Sequence, residues 1–299
     1  MTILPVDLER IASLLAAAGL GKTDSVEPLS GTGNRTFAAR GKGFDVIVRL
    51  PGHETAALVD REAEAHNAAL AATLGVAPAL IHRDDADGAM VMVRAPGATL
   101  ADLQSGTRQG AFARLGAGLA RLHRGPAFLG RMDPWQKIAA YLDAAGLDDA
   151  DAAAFGSLWP GIAALRARTG LDPARLAPCH VDPVPANAID DGRRVLLVDW
   201  EYAAMSDPLW DLAYVCVEGE LEPQEESALL AGYGESSLRG AALADWKLVA
   251  RAVSAAWCMA RAAFGDAPMW RLEVANRLAA LAGNLDDAAA AGDGGERRP

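Results

Sequence analysis

The chain has 299 residues, 51% of them hydrophobic and 6% aromatic, and a formal net charge of −11. That length exceeds one ordinary core, so two lobes with a cleft between them are expected, and so acidic a surface excludes nucleic acid and anionic membrane as partners. Cys179, Cys216 and Cys258 lie far apart without metal-ligand spacing, the start MTILPVDLERIAS has no leader pattern, and no uncharged apolar run approaches membrane-spanning length, so a cytoplasmic protein is expected.

Pro5 to Ala18 reads as an amphipathic helix with Leu8, Ile11, Leu14 and Leu15 on one side, ended by Gly19 and Gly21. SVEPLSGTGNRTFAARGKGFDVIVRL then alternates strands with glycine-bearing turns, a three-stranded meander. Gly31 and Gly33 in its first turn sit where exposed amides can cover phosphates. Arg49 projects from the third strand, Val46 to Leu50, among apolar neighbours; a cation so placed needs an anion, either a carboxylate or a phosphate. The helix from about Ala56 to Leu74 offers Glu62 and Glu64, which a two-residue step turns roughly 200° apart, so only one can face Arg49.

Pro78 to Arg83 and Gly88 to Val93 read as two further strands around the turn Asp84-Asp85-Ala86-Asp87. Arg94-Ala95-Pro96-Gly97 breaks the pattern and marks a hinge. This predicts an α+β architecture with a small antiparallel-sheet lobe, Met1 to Val93, and a larger, mostly helical lobe, Arg94 to Pro299. In the larger lobe Phe112, Leu115, Leu119 and Leu122 recur at helical spacing up to Gly125-Pro126, with His123 placed to cap that helix. Trp135 to Ala145 and Asp151 to Arg168 read as alanine-rich helices without a chemical role. Ala288 to Pro299 is low in complexity and expected to fray.

The chemistry concentrates in CHVDPVPANAIDDGRRVLLVDWEYAAMSDPLWDLAYVCVE, Cys179 to Glu218. His180, Asp182 and Asn187 have the spacing H-x-D-x-x-x-x-N, and Asp199 ends the apolar run after them. Phosphoryl transfer needs little covalent work and much positioning: one carboxylate orients the attacking hydroxyl, and two oxygen ligands hold Mg²⁺ against the nucleotide phosphates. In the protein-kinase signature the loop Asp, the Asn five residues on and a later Asp fill those places, and Asp182, Asn187 and Asp199 match them. Pro183 and Pro185 forbid a regular helix, and Asp190-Asp191-Gly192 reads as a hairpin turn that returns Asp199 to Asn187.

HVDPVPAN, VDWEYA and DPLWDLA together resemble the choline/ethanolamine kinase and aminoglycoside phosphotransferase superfamily, with DWEY similar to its choline kinase branch. The resemblance runs from about Leu29 to Trp270. It implies a two-lobed protein-kinase-like fold that uses ATP and Mg²⁺ to phosphorylate a small-molecule hydroxyl. Asn34 of SGTGN is similar to the Asn of the family's GGxTN loop. The family's Arg-Glu step, matched at Arg61-Glu62, makes Glu62 the partner of Arg49 and leaves Glu64 in solvent. Kinase-like folds imply adenine against the hinge backbone at Met92, Val93 and Arg94. They also imply that His180 braces the catalytic loop beside Asp182 and that Asp211, expected to cap the helix Leu212 to Val217, holds that loop.

Between His180 and Glu226 twelve acids face only Arg193 and Arg194, a field suited to a cationic alcohol such as choline or ethanolamine. Glu218 lies two helical turns past Asp211 on the same face. With Glu201 and Tyr202 it is expected to receive the acceptor's cation, helped by an aromatic face such as Trp257. Trp257 equally continues a core stripe with Trp246 and Val253. Val181 and Pro183 stand where the family commonly has Asn and Leu, so an aminoglycoside or thiamine acceptor, or a nucleotide sensor without turnover, stays open.

Overall fold

The three strands of the expected meander form, and two more strands join them. The computed structural model describes residues 3–29, 34–52, 59–146, 149–234, 240–263 and 267–295. Helix α1 (Pro5–Ala17) leads into β1 (Thr23–Leu29), β2 (Arg35–Gly41) and β3 (Phe44–Leu50), followed by α2 (Arg61–Thr73), β4 (Leu80–Arg83) and β5 (Met90–Val93). The sheet is antiparallel with order β1-β2-β3-β5-β4. Its covered face packs Phe37, Val46, Val48 and Val91 on Ile11, Leu14 and Leu15 of α1, each buried side chain stabilising by about 2 kcal/mol. Leu8, expected on that stripe, is 46% exposed, so the apolar face of α1 is narrower than its leucine spacing suggests. Gly31 and Gly33 lie outside the described residues.

Asp60 caps α2, its Oδ1 accepting from the amides of Glu62 and Ala63. The helix is tied to the other lobe. Ala68 and Ala71 belong to the larger lobe's core, and Asn67, wholly buried, donates to Leu129 O and Ala203 O while accepting from Leu129 N.

The larger lobe runs through β6 (Ala98–Thr99), α3 (Ser105–His123), α4 (Pro134–Ala145), α5 (Asp149–Ser157), α6 (Trp159–Arg168), β7 (Ala177–Cys179), β8 (Ala188–Asp190), β9 (Val195–Leu197) and β10 (Ala204–Ser206). Then come α7 (Pro208–Glu218), α8 (Pro223–Tyr233), α9 (Ala241–Ala263) and α10 (Ala267–Gly295). Two differences from the sequence expectation have local causes. Pro160, at the start of α6, lacks the amide that would continue α5, so one expected helix becomes two. The alanine-rich tail extends α10 to Gly295, since alanine is the strongest helix former.

Helices α3 and α8 cross at backbone contact. A Cβ on Gly116 would lie 2.0 Å from Leu229 O, and one on Gly232 would lie 1.9 Å from Ala113 O. Only paired glycines permit that approach. At the hinge, β6 joins the three-stranded sheet β6-β8-β9, which carries the catalytic hairpin. The first strand of the larger lobe therefore sits against the catalytic segment.

Candidate active site

Two short elements bring the expected catalytic residues together. After β7 the chain turns through Val181, whose backbone is left-handed with φ 74°, and the prolines carry it into a one-turn 3-10 helix, Pro185–Asn187. Strand β8 then pairs with β9 in the register Ala188 to Leu197, and Val198 N donates to Asn187 O at 2.9 Å. Asp199 follows with φ 65°. The hairpin thus sets Asn187 and Asp199 at adjacent ends of paired strands. Asn187 Nδ2 donates to Asp182 Oδ2 at 3.0 Å and to Asp182 O at 3.0 Å. With its nitrogen committed there, the amide oxygen of Asn187 is left for a cation.

Left-handed backbone at Val181 and Asp199 costs energy that surrounding bonds must offset. Asp211 does this for the first, accepting from His180 N at 2.8 Å, Val181 N at 2.9 Å and His123 Nε2 at 3.1 Å. The cap of α7 is Asp207, which accepts from Leu209 N. Asp211 is in the first turn, fully buried, so the expectation that it caps the helix is corrected, while its hold on the loop matches the resemblance. His123 likewise reaches Asp211 and Tyr233 instead of free helix carbonyls. His180 braces the second turn: Nε2 meets Val198 O at 3.0 Å and its ring lies edge-on to Trp200. Burial lowers the His180 pKa to about 4, so the ring is neutral near pH 7 and donates to that carbonyl.

Asp182 is driven up to about 8, first by burial, then by the charge of Asp199, with Lys137 opposing. Asp199 rises to about 6 by burial and by Glu201, with Arg49 opposing. Carboxyls raised by burial and by neighbouring carboxylates make a place where a bound cation is stabilised.

Arg49 spans the cleft. Its Nη1 bonds Asp199 Oδ1 at 3.2 Å, and its Nη2 pairs with Glu64. Glu64, with a fully buried side chain, also accepts from Arg61 Nη1 at 2.9 Å. Glu62 is exposed, so the choice of Glu62 is corrected. Glu64, Ala68 and Ala71 lie on one buried stripe of α2, and Glu62 is off it.

The acceptor residues expected from the sequence divide. Glu201 faces the small lobe, accepting from Asn34 Nδ2 at 3.0 Å, with Arg61 Nη1 4.0 Å away. Glu64, Asp199 and Glu201 bring carboxylate oxygens within 4.8 Å of one another. Glu218 is held by Arg277 of α10, Nη1 to Oε1 2.7 Å and Nη2 to Oε2 3.1 Å, and by Ser254 Oγ at 2.5 Å. Glu218 is therefore paired within the protein, while its charge still reaches Asp182 and Tyr214. Trp257 is 37% exposed and edge-on to Trp270, outside the core stripe of Trp246 and Val253. Tyr202 remains beside Asp182, within reach of its charge.

The sequence reading passed over Lys137 of α4, whose Nζ lies 4.3 Å from the Tyr202 ring centre and 5.7 Å from that of Tyr141. Asp182 and Glu201 both act on it. Lys137 and Arg277 lie outside the stretch whose acids and bases were counted, so that count overstated the negative field. At the hinge, the amides of Val93 and Arg94 donate to Ala79 O and Asp45 O.

The fold and the arrangement of these residues define a small-molecule kinase. The chain belongs to the phosphotransferase enzyme family (APH), whose model matches residues 25–248. It is similar to the crystal structure of a choline/ethanolamine kinase family protein from Mesorhizobium loti, 30% identical with TM-score 0.77, covering 93% of this chain and 94% of that one. It is also similar to choline kinase LicA from Streptococcus pneumoniae, 25% identical with TM-score 0.73, covering 93% and 98%. Among curated proteins it matches Protein LicA of Haemophilus influenzae, 40% identical over 58 residues, which is 19% of this chain and 22% of that protein. The chain thus spans about a fifth of the length of that curated relative. Among the described residues no helix is long and apolar enough to cross a membrane.

Proposed function

We propose that the protein transfers the γ-phosphoryl group of ATP, with Mg²⁺, to the hydroxyl of a small cationic amino alcohol, choline or ethanolamine first. The observation that carries this reading is the convergence of Asp182, Asn187 and Asp199 through one hairpin register and one side-chain hydrogen bond. Similarity to choline and choline/ethanolamine kinases across nearly the whole chain supports the acceptor class.

Asp182 orients the acceptor hydroxyl and takes its proton as the oxygen attacks phosphorus. Its raised pKa fits a base matched to neutral solution. Asn187 and Asp199 fit a hard divalent cation, since they offer oxygen ligands beside a carboxylate cluster. Asn187 and Asp199 would hold Mg²⁺, which would supply neutralisation of phosphate charge. Arg49, set by Glu64, faces the phosphates from the small lobe. An adenine lying against Met92 to Arg94 would meet carbonyl oxygens, the Val93 and Arg94 amides being committed. The acceptor's ammonium would lie among Tyr202, Tyr141 and the carboxylates of Asp182 and Glu201. Three buried free thiols fit a cytoplasmic setting, where ATP is available.

Release of ADP, followed over choline, ethanolamine, thiamine and aminoglycosides, tests the reading. Turnover is expected with the amino alcohols and a loss of at least a hundredfold in Asp182→Ala. Turnover with aminoglycosides alone rejects the acceptor, and undiminished activity in Asp182→Ala rejects the base.

A further inference from the structure

An ammonium group already stands on the acceptor side of Asp182. Lys137 is half-buried, with cation–π contacts to Tyr202 and Tyr141 and no ion pair among the described residues. Burial lowers its pKa below the ordinary lysine value, while Asp182 and Glu201 oppose that shift. The same two carboxylates act on Tyr141, where burial dominates and lifts the phenol to about 12. Ammonium, rings and base therefore lie within reach of one another's charge. Aromatic faces near carboxylates are the surroundings that attract substituted ammonium ions, and here the protein's own cation is the occupant.

We propose that Lys137 is a tethered competitor for the acceptor's ammonium: its Nζ fills the Tyr141–Tyr202 cage, and a cationic acceptor binds by displacing it. Lys137 is on this account the residue that sets how tightly the site takes amino alcohols, and the inference rests on the amino-alcohol reading above. Two cations over the same rings repel strongly in a partly dry chamber, so they cannot occupy it together. A flexible four-carbon stem without a salt bridge lets Lys137 leave.

Calorimetric titration of the whole protein with tetramethylammonium, which carries the cation but no hydroxyl, separates this proposal from the proposed reaction. Lys137→Met keeps the stem and removes the charge. It is expected to bind tetramethylammonium at least tenfold more tightly than wild type, about 1.4 kcal/mol, with a matching fall in KM for choline. Lys137→Gln is expected to follow it, and Lys137→Arg, which keeps a charge over the rings, to bind no more tightly than wild type. Equal or weaker binding by the neutral variants overturns the proposal. So does failure of every variant to bind tetramethylammonium while amino alcohols are phosphorylated. Tighter binding by the neutral variants without ADP release from any amino alcohol upholds the cage assignment and overturns the reaction proposed above.

Discussion

Arg49 reaches across the cleft to Asp199, Nη1 to Oδ1 at 3.2 Å, while Glu64 grips its other nitrogen from behind. One guanidinium thus ties the nucleotide-facing strand, the helix beside it and the end of the catalytic hairpin. Arg61 shares Glu64 and extends the contact to Asn34 and Glu201.

Glu64→Gln would leave Arg49 and Arg61 without their shared buried carboxylate. Breaking a buried pair from one side costs about 3 kcal/mol or more, whereas Glu62→Gln on the exposed face should stay within about 0.5 kcal/mol. Urea unfolding of the two variants beside wild type checks the contrast. Equal midpoints for Glu64→Gln and Glu62→Gln would contradict the ion-pair assignment.

The same contrast marks what was legible in the sequence. His180, Asp182, Asn187 and Asp199 could be read because twenty residues of chain contain both the loop and the hairpin, and the turn Asp190-Asp191-Gly192 fixes their register. The strands of the small lobe were legible from the turn residues between them, and α3 from its helical spacing. The family's Arg-Glu step points to Glu62, whereas the helix stripe points to Glu64: Glu64, Ala68 and Ala71 follow the i, i+4, i+7 pattern of a buried face. Lys137 and Arg277 were invisible to any local window. They arrive on helices remote in sequence, and only packing brings their charge to the acceptor side.

Asn67 gives α2 a fixed seat on the larger lobe. Asn67→Ala removes three hydrogen bonds and leaves Ala203 O buried without its Asn67 donor, at about 3 kcal/mol of stability. Because α2 carries Glu64, turnover should fall as well at temperatures where the fold persists. Thermal unfolding and ADP release measured on one preparation would report both losses.

His180 predicts an acid limb of stability. Its pKa is about 4 folded against about 6.5 unfolded, so between these values the unfolded chain binds the extra proton. Stability from this residue is whole above pH 6.5 and is lost as pH falls toward 4, on the order of 3 kcal/mol. Asp182 and Asp199, with raised pKa values, pull the opposite way over that range, so the useful quantity is the gap between wild type and His180→Gln. Denaturant titrations at stepped pH should show the gap narrowing from pH 7 to pH 4, and a constant gap would exclude a buried neutral imidazole.

The central claim is that Asn187 and Asp199 present oxygens to one divalent ion beside Asp182. Electron paramagnetic resonance of Mn²⁺ titrated into the protein with saturating ADP measures this most directly. At least tenfold weaker Mn²⁺ binding is expected for Asn187→Ala and for Asp199→Asn, with the exposed-acid control Asp85→Asn within twofold of wild type. Wild-type affinity in Asp199→Asn would contradict the account.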